Sequence, residues 1–415
     1  METRAGDPGA FARFDLSRVD SPAFVVDVAR LRGNLSILAD IRDRAGIKML
    51  SALKAFSMWR VAPLVGEYLD GVCTSGLWEA LLAAEHYGGE IATYCAAYKA
   101  EDLPEICRLS DHVIFNSPGQ LARFVPQIAL ARAGGAELDV GLRINPLHAE
   151  GEVPRYDPCA PHSRLGFPVD QLTDGHMEGV DGLHFHTLCE QDFEPLRRTW
   201  EALNPRIQRW LPQLKWLNFG GGHHITRADY QRDELVEFLK SVKAETGCEL
   251  YLEPGEAVAL DAGILVGTVL DTHWNGMPLA ITDVSATCHM PDAIEAPYRP
   301  AMLGELHPSP SGEGQGVGHV ADNPHPNPSP EGEGLVVRLG GPSCLAGDVI
   351  GDYRLPFPAE PGRRFAFLDQ AHYSMVKTTT FNGVPLPSIW LWDSDTDALE
   401  QVRKFGYEDF RDRLS

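Results

Sequence analysis

The sequence predicts an α/β protein, a parallel (β/α)8 barrel followed by a mostly β C-terminal domain. Three observations carry that expectation. From about Ser21 to Val269, nine or so short apolar runs alternate with amphipathic stretches, the pattern of a parallel sheet under covering helices. That number of β-then-α units within about 250 residues suits a closed barrel better than an open sheet. After Val269 the texture changes to β-rich runs separated by Pro/Gly turns. A doubly wound open sheet is the alternative, but no G-x-G-x-x-G opens the first turn, so its dinucleotide fingerprint is missing.

FVVDV (24–28) reads as the first strand. The stretch from Val28 to Arg44 places Leu31, Leu35, Leu38 and Ile41 on one helical face. KMLSALKA (48–55), GVCTS (71–75), IATYCA (91–96), HVIFNS (112–117), LDVGLRIN (138–145), GLHFHT (182–187), WLNFGGG (216–222) and ELYLEPG (249–255) read as the later strands. Helical patterns lie between most of them, including Leu77–Tyr87, Phe193–Trp210 and Arg227–Glu245. The barrel is thereby placed at 21–269 and the β-rich domain at 270–415, with 1–20 joined to the latter. In that second part TVLDTHW, PLAITDVSA, GLVVRLGG, RRFAFLD and PSIWLWD read as strands, and Asp397–Arg413 as a helical stretch. Residues 307–334 contain the near-repeat HPSPSGEG and NPSPEGEG. Their Pro, Gly, Ser and Glu content buries too little apolar surface to order a chain, so they predict a disordered low-complexity insertion.

A chain of 415 residues suits two domains. Its formal net charge of −22 argues against a nucleic-acid partner and would attract a small cation, although acidity also serves solubility. No apolar run reaches the roughly 18 residues of a membrane span. The N-terminal METRAGDPGAFARF lacks the apolar core of a secretory signal, so a cytoplasmic location is expected. None of the eight cysteines forms a C-x-x-C pair, which leaves a structural zinc site without support.

Five features carry chemistry. Lys54 ends an apolar strand, where barrel enzymes place their reactive groups. Its neighbours Leu53, Ala55 and Phe56 are expected to desolvate the amine and free its lone pair for Schiff-base chemistry; an ordinary surface lysine is the plain alternative. Gly220–Gly221–Gly222 follows a strand and exposes successive backbone N–H groups suited to a phosphate, or simply makes a tight turn. Glu253, in EPG, puts a carboxylate at a strand end, where it can pair with a protonated ring nitrogen. His184 and His186 alternate along GLHFHT and share one side of that strand, so His186 can lie against a planar cofactor. With His223 and His224 they offer a metal set, but no H-E-x-x-H accompanies them and no metal is expected. Cys344 lies in the loop GGPSCLAGD, where exposure favours reactivity.

This ordered set resembles the alanine-racemase-like (fold type III) pyridoxal-phosphate (PLP) decarboxylases, over about Ser21 to Phe410. HFHTLCE (184–190), FGGGHH (219–224), EPGEA (253–257), DVSATCHMPD (283–292), GGPSCLAGD (340–348) and AHYSMVKTTTFNG (371–383) look like the carboxynorspermidine (carboxyspermidine) decarboxylase branch. The resemblance implies that Lys54 holds PLP covalently through its amine and that His186 stacks on the ring. It implies that Gly221, Gly222 and Gly255 bind the phosphate, with a hydroxyl from Tyr373. Glu253 would pair with the ring nitrogen and Arg143 would lie near the ring. Cys344 would come from the partner subunit of an obligate homodimer and supply a proton to the product. A carboxylated triamine needs carboxylates for its ammonium groups, and Glu190, Asp192, Asp292, Glu295 and Asp348 are the candidates. Three departures matter. Ornithine-type enzymes carry an acidic residue after the cysteine, an arginine after EPG and a serine after the H-V-G triplet, whereas this chain has Leu345, Glu256 and Cys189. Ornithine is therefore a poor substrate guess, and phosphate binding is expected to draw on Thr187 or His223. A diaminopimelate or other basic amino-acid decarboxylase of the same fold, or a non-catalytic PLP-binding protein, are the alternatives.

Overall fold

The computed structural model describes residues 6–151, 155–295, 298–306 and 336–415. The low-complexity insertion expected at 307–334 lies outside the described residues. The chain divides into two compact units, residues 29–260 and residues 1–28 with 261–415.

The first strand, β1 (Ala23–Asp27), is not a barrel strand. The barrel is a closed parallel circuit of β2 (Lys48–Ala52), β3 (Gly71–Thr74), β4 (Glu90–Tyr94), β5 (His112–Phe115) and β6 (Asp139–Asn145), continued past the short β7 (Phe167–Pro168) beside β6. It runs on through β8 (Gly182–His184), β9 (Trp216–Asn218) and β10 (Glu249–Leu252), and β10 pairs back onto β2. Eight of the nine runs of the sequence are therefore barrel strands of a TIM-type fold. The helical stripe Leu31, Leu35, Leu38 and Ile41 is buried in the helix Val28–Ala45, as its spacing requires. The helix expected at Arg227–Glu245 begins instead at Arg232 and runs to Thr246. The Arg232 guanidinium donates to the carbonyls of Ile225, Thr226 and Arg227, which holds the preceding residues in a turn.

Trp216 fills the interior, packed with Leu50, Ala92, Ile114 and Tyr251. Only glycine fits opposite its ring: a Cβ on Gly182 would lie 2.0 Å from the indole and one on Gly141 2.5 Å from it. Trp216→Ala should therefore leave an unfilled cavity and lower unfolding stability by roughly 3–5 kcal/mol, read from the denaturant midpoint.

In the other unit β1 pairs antiparallel with β11 (Gly263–Trp274), Ala23 opposite Val266. The sheet continues through β12 (Pro278–Thr282), β13 (Val336–Gly340) and β14 (Val349–Arg354); β15 (Arg364–Leu368) also pairs with β11. On its other side β1 pairs in parallel with β16 (Ser388–Asp393), followed by β17 (Ala398–Arg403). Two sequence boundaries are corrected by this pairing. Residues 21–28 and 261–269 leave the barrel because their backbone hydrogen bonds are made in this sheet. Asp397–Arg413 is not one helical stretch: Ala398–Arg403 hydrogen-bonds to β16, and only Tyr407–Arg411 is helical. Among the described residues no helix is long and apolar enough to cross a membrane.

Candidate active site

The barrel unit gathers its polar groups at the C-terminal strand ends. Lys54 follows β2 on a tight turn. The Ala52 N–H donates to Pro254 O at 2.9 Å and the Leu53 N–H to Cys73 O at 3.1 Å, so the lysine turn is stitched to the EPG turn and to β3. Gly255 permits this approach, since a Cβ there would meet the Ala55 Cβ at 2.9 Å. Leu53, Ala55 and Phe56 are buried, but Lys54 itself is exposed, and the expected desolvation of its amine is not found. The apolar neighbours bury themselves and leave the lysine at the open mouth. Its positive charge acts on Cys73, His184, His186 and Glu253.

Glu253 is held on both oxygens. Asn218 Nδ2 donates to Oε1 at 2.7 Å, and His184 Nε2 lies 3.2 Å from Oε2. Burial alone would raise the Glu253 pKa; the charge that His184 takes up in acid, the hydrogen bonds from His184 and Asn218, and the Lys54 charge outweigh it and hold the carboxyl at about 2. Asn218 Oδ1 in turn accepts the Gly220 N–H at 2.9 Å, and the Glu253 N–H donates to Gly220 O at 2.8 Å. A single buried amide thus joins the carboxylate to the glycine turn.

That turn has the geometry only glycine allows. Gly220 has φ +66° and Gly222 φ +91°, and a Cβ on Gly221 would lie 2.1 Å from Glu253 O. The Gly221 N–H donates to His186 Nδ1 at 2.9 Å, so it is already engaged rather than free for a phosphate. This bond fixes the His186 ring with its remaining proton on Nε2. Desolvation, then the charges of Lys54 and Arg143, push the His186 pKa well below the ordinary value, so the ring is neutral. Arg143 is buried; its guanidinium donates to His186 O at 3.2 Å and lies 4.5 Å from the centre of the Tyr94 ring. Thr187 Oγ1 and His223 Nε2 flank the turn as buried polar atoms with no partner among the described residues.

The acidic candidates separate. Glu190 is half-buried with φ +53°. Asp192 is taken by an ion pair with Arg227. In the other unit Asp292 and Glu295 both bind Lys377 Nζ, at 2.5 Å and 2.7 Å. Asp348 is buried and accepts from the hydroxyls of Ser285 and Ser343 and the N–H of Thr287, so it braces the GPSC loop. In that loop Cys344 is exposed as expected, its N and Sγ each 3.0 Å from Asn382 Oδ1. Tyr373 is half-buried with φ +46°. Asn218 and the pairing of His184 with Glu253 were not singled out by the sequence. The signal was present: His184 shares a strand face with His186, and Asn218 sits two residues before the glycine turn.

The chain is 36% identical over 393 residues to a carboxynorspermidine/carboxyspermidine decarboxylase of Campylobacter jejuni, covering 95% of this chain and 98% of that protein. The chain belongs to the carboxynorspermidine/carboxyspermidine decarboxylase family. It is accordingly a decarboxylase. Its likeness extends to a carboxyaminopropylagmatine decarboxylase of Synechocystis, 38% identical over 407 residues and 96% of both chains. The crystal structure of the Campylobacter jejuni carboxynorspermidine decarboxylase, complexed with norspermidine, superposes with a TM-score of 0.82 at 36% identity, over 95% of this chain and 100% of that one. No protein-family model matches the chain.

Proposed function

We propose that this decarboxylase acts on carboxynorspermidine or carboxyspermidine, releasing CO2 to give norspermidine or spermidine, with PLP carried on Lys54. The observation that carries this reading is the doubly hydrogen-bonded Glu253 beside the His186–glycine turn, at the strand ends that also hold Lys54. The residues fit PLP in three respects. An ionised carboxylate suits a protonated ring nitrogen, a neutral imidazole of fixed orientation suits a ring face, and the unpartnered Thr187 Oγ1 and His223 Nε2 suit a phosphate. When bound, PLP supplies an electron-accepting ring that takes up the electron pair left by departing CO2.

The chain's own residues do the rest. Lys54 Nζ would hold the cofactor through its amine. Glu253 keeps the ring nitrogen's proton in place. His186 would cover one face of the ring and exclude water from it. Gly222 and Gly255 would join Thr187 and His223 around the phosphate. Cys344 Sγ, contributed by the partner subunit of a homodimer, returns a proton to the substrate α-carbon. Glu190 is proposed as one carboxylate for a distal ammonium group of the substrate.

Cys344→Ala should lower kcat by about 10²–10⁴ while the cofactor absorbance stays, as for removal of a proton donor. Normal turnover in that variant would remove Cys344 from the reaction. The substrate assignment is tested by CO2 release from both carboxylated triamines, with carboxyaminopropylagmatine, ornithine, lysine and diaminopimelate as comparators. Preference for any of the last four contradicts it.

A further inference from the structure

Resting on the reading that Glu253 serves the ring nitrogen of a cofactor on Lys54, we infer that His184 is a positioning residue that orients Glu253 as a neutral hydrogen-bond donor, without neutralising its charge.

The geometry selects the neutral form. His184 is 1% exposed, and its Nε2 lies 3.2 Å from Glu253 Oε2. A carboxylate oxygen only accepts, so the proton is on Nε2. The other ring nitrogen, Nδ1, is buried with no partner among the described residues. An imidazolium would carry a second N–H there, charged and unsatisfied, which is more costly to bury than the bare lone pair of a neutral ring. The ring is fixed by its stack on Tyr94, centroids 5.5 Å apart and planes 28° apart. The charged groups that act on it are Glu253, which favours a cation, and Arg143 and Lys54, which oppose one; burial opposes it most, and the net direction is downward.

The consequence concerns Glu253. Its second hydrogen-bond partner, Asn218, is also neutral. The Arg143 guanidinium instead donates to His186 O and covers Tyr94. Both oxygens of Glu253 are thus aimed by uncharged donors, and its full negative charge is left for the ring nitrogen. A cationic partner would orient the carboxylate equally well and offset the charge that makes it useful.

Three substitutions and one direct measurement test this. His184→Gln keeps a neutral N–H of similar reach, and its kcat should stay within about threefold of wild type, whereas His184→Leu should lose about 10- to 100-fold in kcat with KM little changed, the range for loss of a group that orients a functional ligand. His184→Lys, which donates as a cation, should fall at least as far as His184→Leu. Neutron diffraction from deuterated crystals of the wild-type holoenzyme should show a deuteron on His184 Nε2 and none on Nδ1, a readout independent of turnover and of variant folding. Deuterons on both nitrogens, or His184→Lys matching His184→Gln in kcat, overturn the inference and leave the Lys54 reading standing. A wild-type Lys54 that carries no cofactor overturns both.

Discussion

Lys54→Ala is expected to abolish the visible absorbance of bound PLP and to lower turnover by roughly 10⁴-fold or more, the scale on which enzymes lose rate when their covalent group is removed. The spectrum is read on purified protein after dialysis, and turnover as CO2 released from the carboxylated triamine. The exposure of Lys54 bears on this expectation. A lysine buried in an apolar wall would owe part of its reactivity to desolvation, but this one stands at the barrel mouth. An exposed lysine contributes nothing to the packed core, so the fold should survive its loss. An unfolded Lys54→Ala variant, or one with unchanged absorbance, would contradict this placement.

Glu253→Gln has the second largest expected effect, about 10²–10³ in kcat, the cost of removing one preorganised electrostatic group. The amide cannot hold a ring nitrogen protonated. It also turns an N–H toward either His184 Nε2 or Asn218 Nδ2, both of which donate to the native carboxylate. The pH dependence of stability changes in a defined direction. The native carboxyl is depressed from 4.5 to about 2, so its stabilisation is complete above the unfolded value and is lost as pH falls through the folded one. Unfolding midpoints of the wild type should therefore fall more steeply than those of Glu253→Gln between about pH 4.5 and pH 2. Parallel curves would show that Glu253 is not held ionised by its neighbours.

Much of this molecule was legible in its sequence because local pattern and tertiary structure agree. Strands fully buried in a parallel barrel read as apolar runs, and the helix stripe at Leu31, Leu35, Leu38 and Ile41 reads at helical spacing. The errors arose where a partner strand decides. FVVDV has the composition of a barrel strand, yet β1 belongs to the other sheet because β11 and β16 supply its hydrogen bonds. Ala398–Arg403, exposed and polar in part, becomes a strand through β16. Val349–Arg354, which interleaves glycine and charge, gives little strand signal at all.

The site divides the same way. Lys54, His186, the glycine turn and Glu253 lie at strand ends in readable motifs. What holds them does not. The Asn218 bond to Glu253 joins residues 35 apart in the chain, and the His184 bond to Glu253 joins residues 69 apart. Likewise, no motif shows that Lys377 already pairs with Asp292 and Glu295, or that Asp348 braces its own loop. Charge alone made those three carboxylates look like ligands for an ammonium.

The most direct test of the central claim is borohydride reduction of the purified holoenzyme followed by peptide mass mapping, since hydride makes a lysine–cofactor linkage permanent. One pyridoxyl phosphate adduct is expected, on the peptide that contains Lys54. An adduct on any other lysine, or none on an enzyme that releases CO2 from a carboxylated triamine, would contradict it.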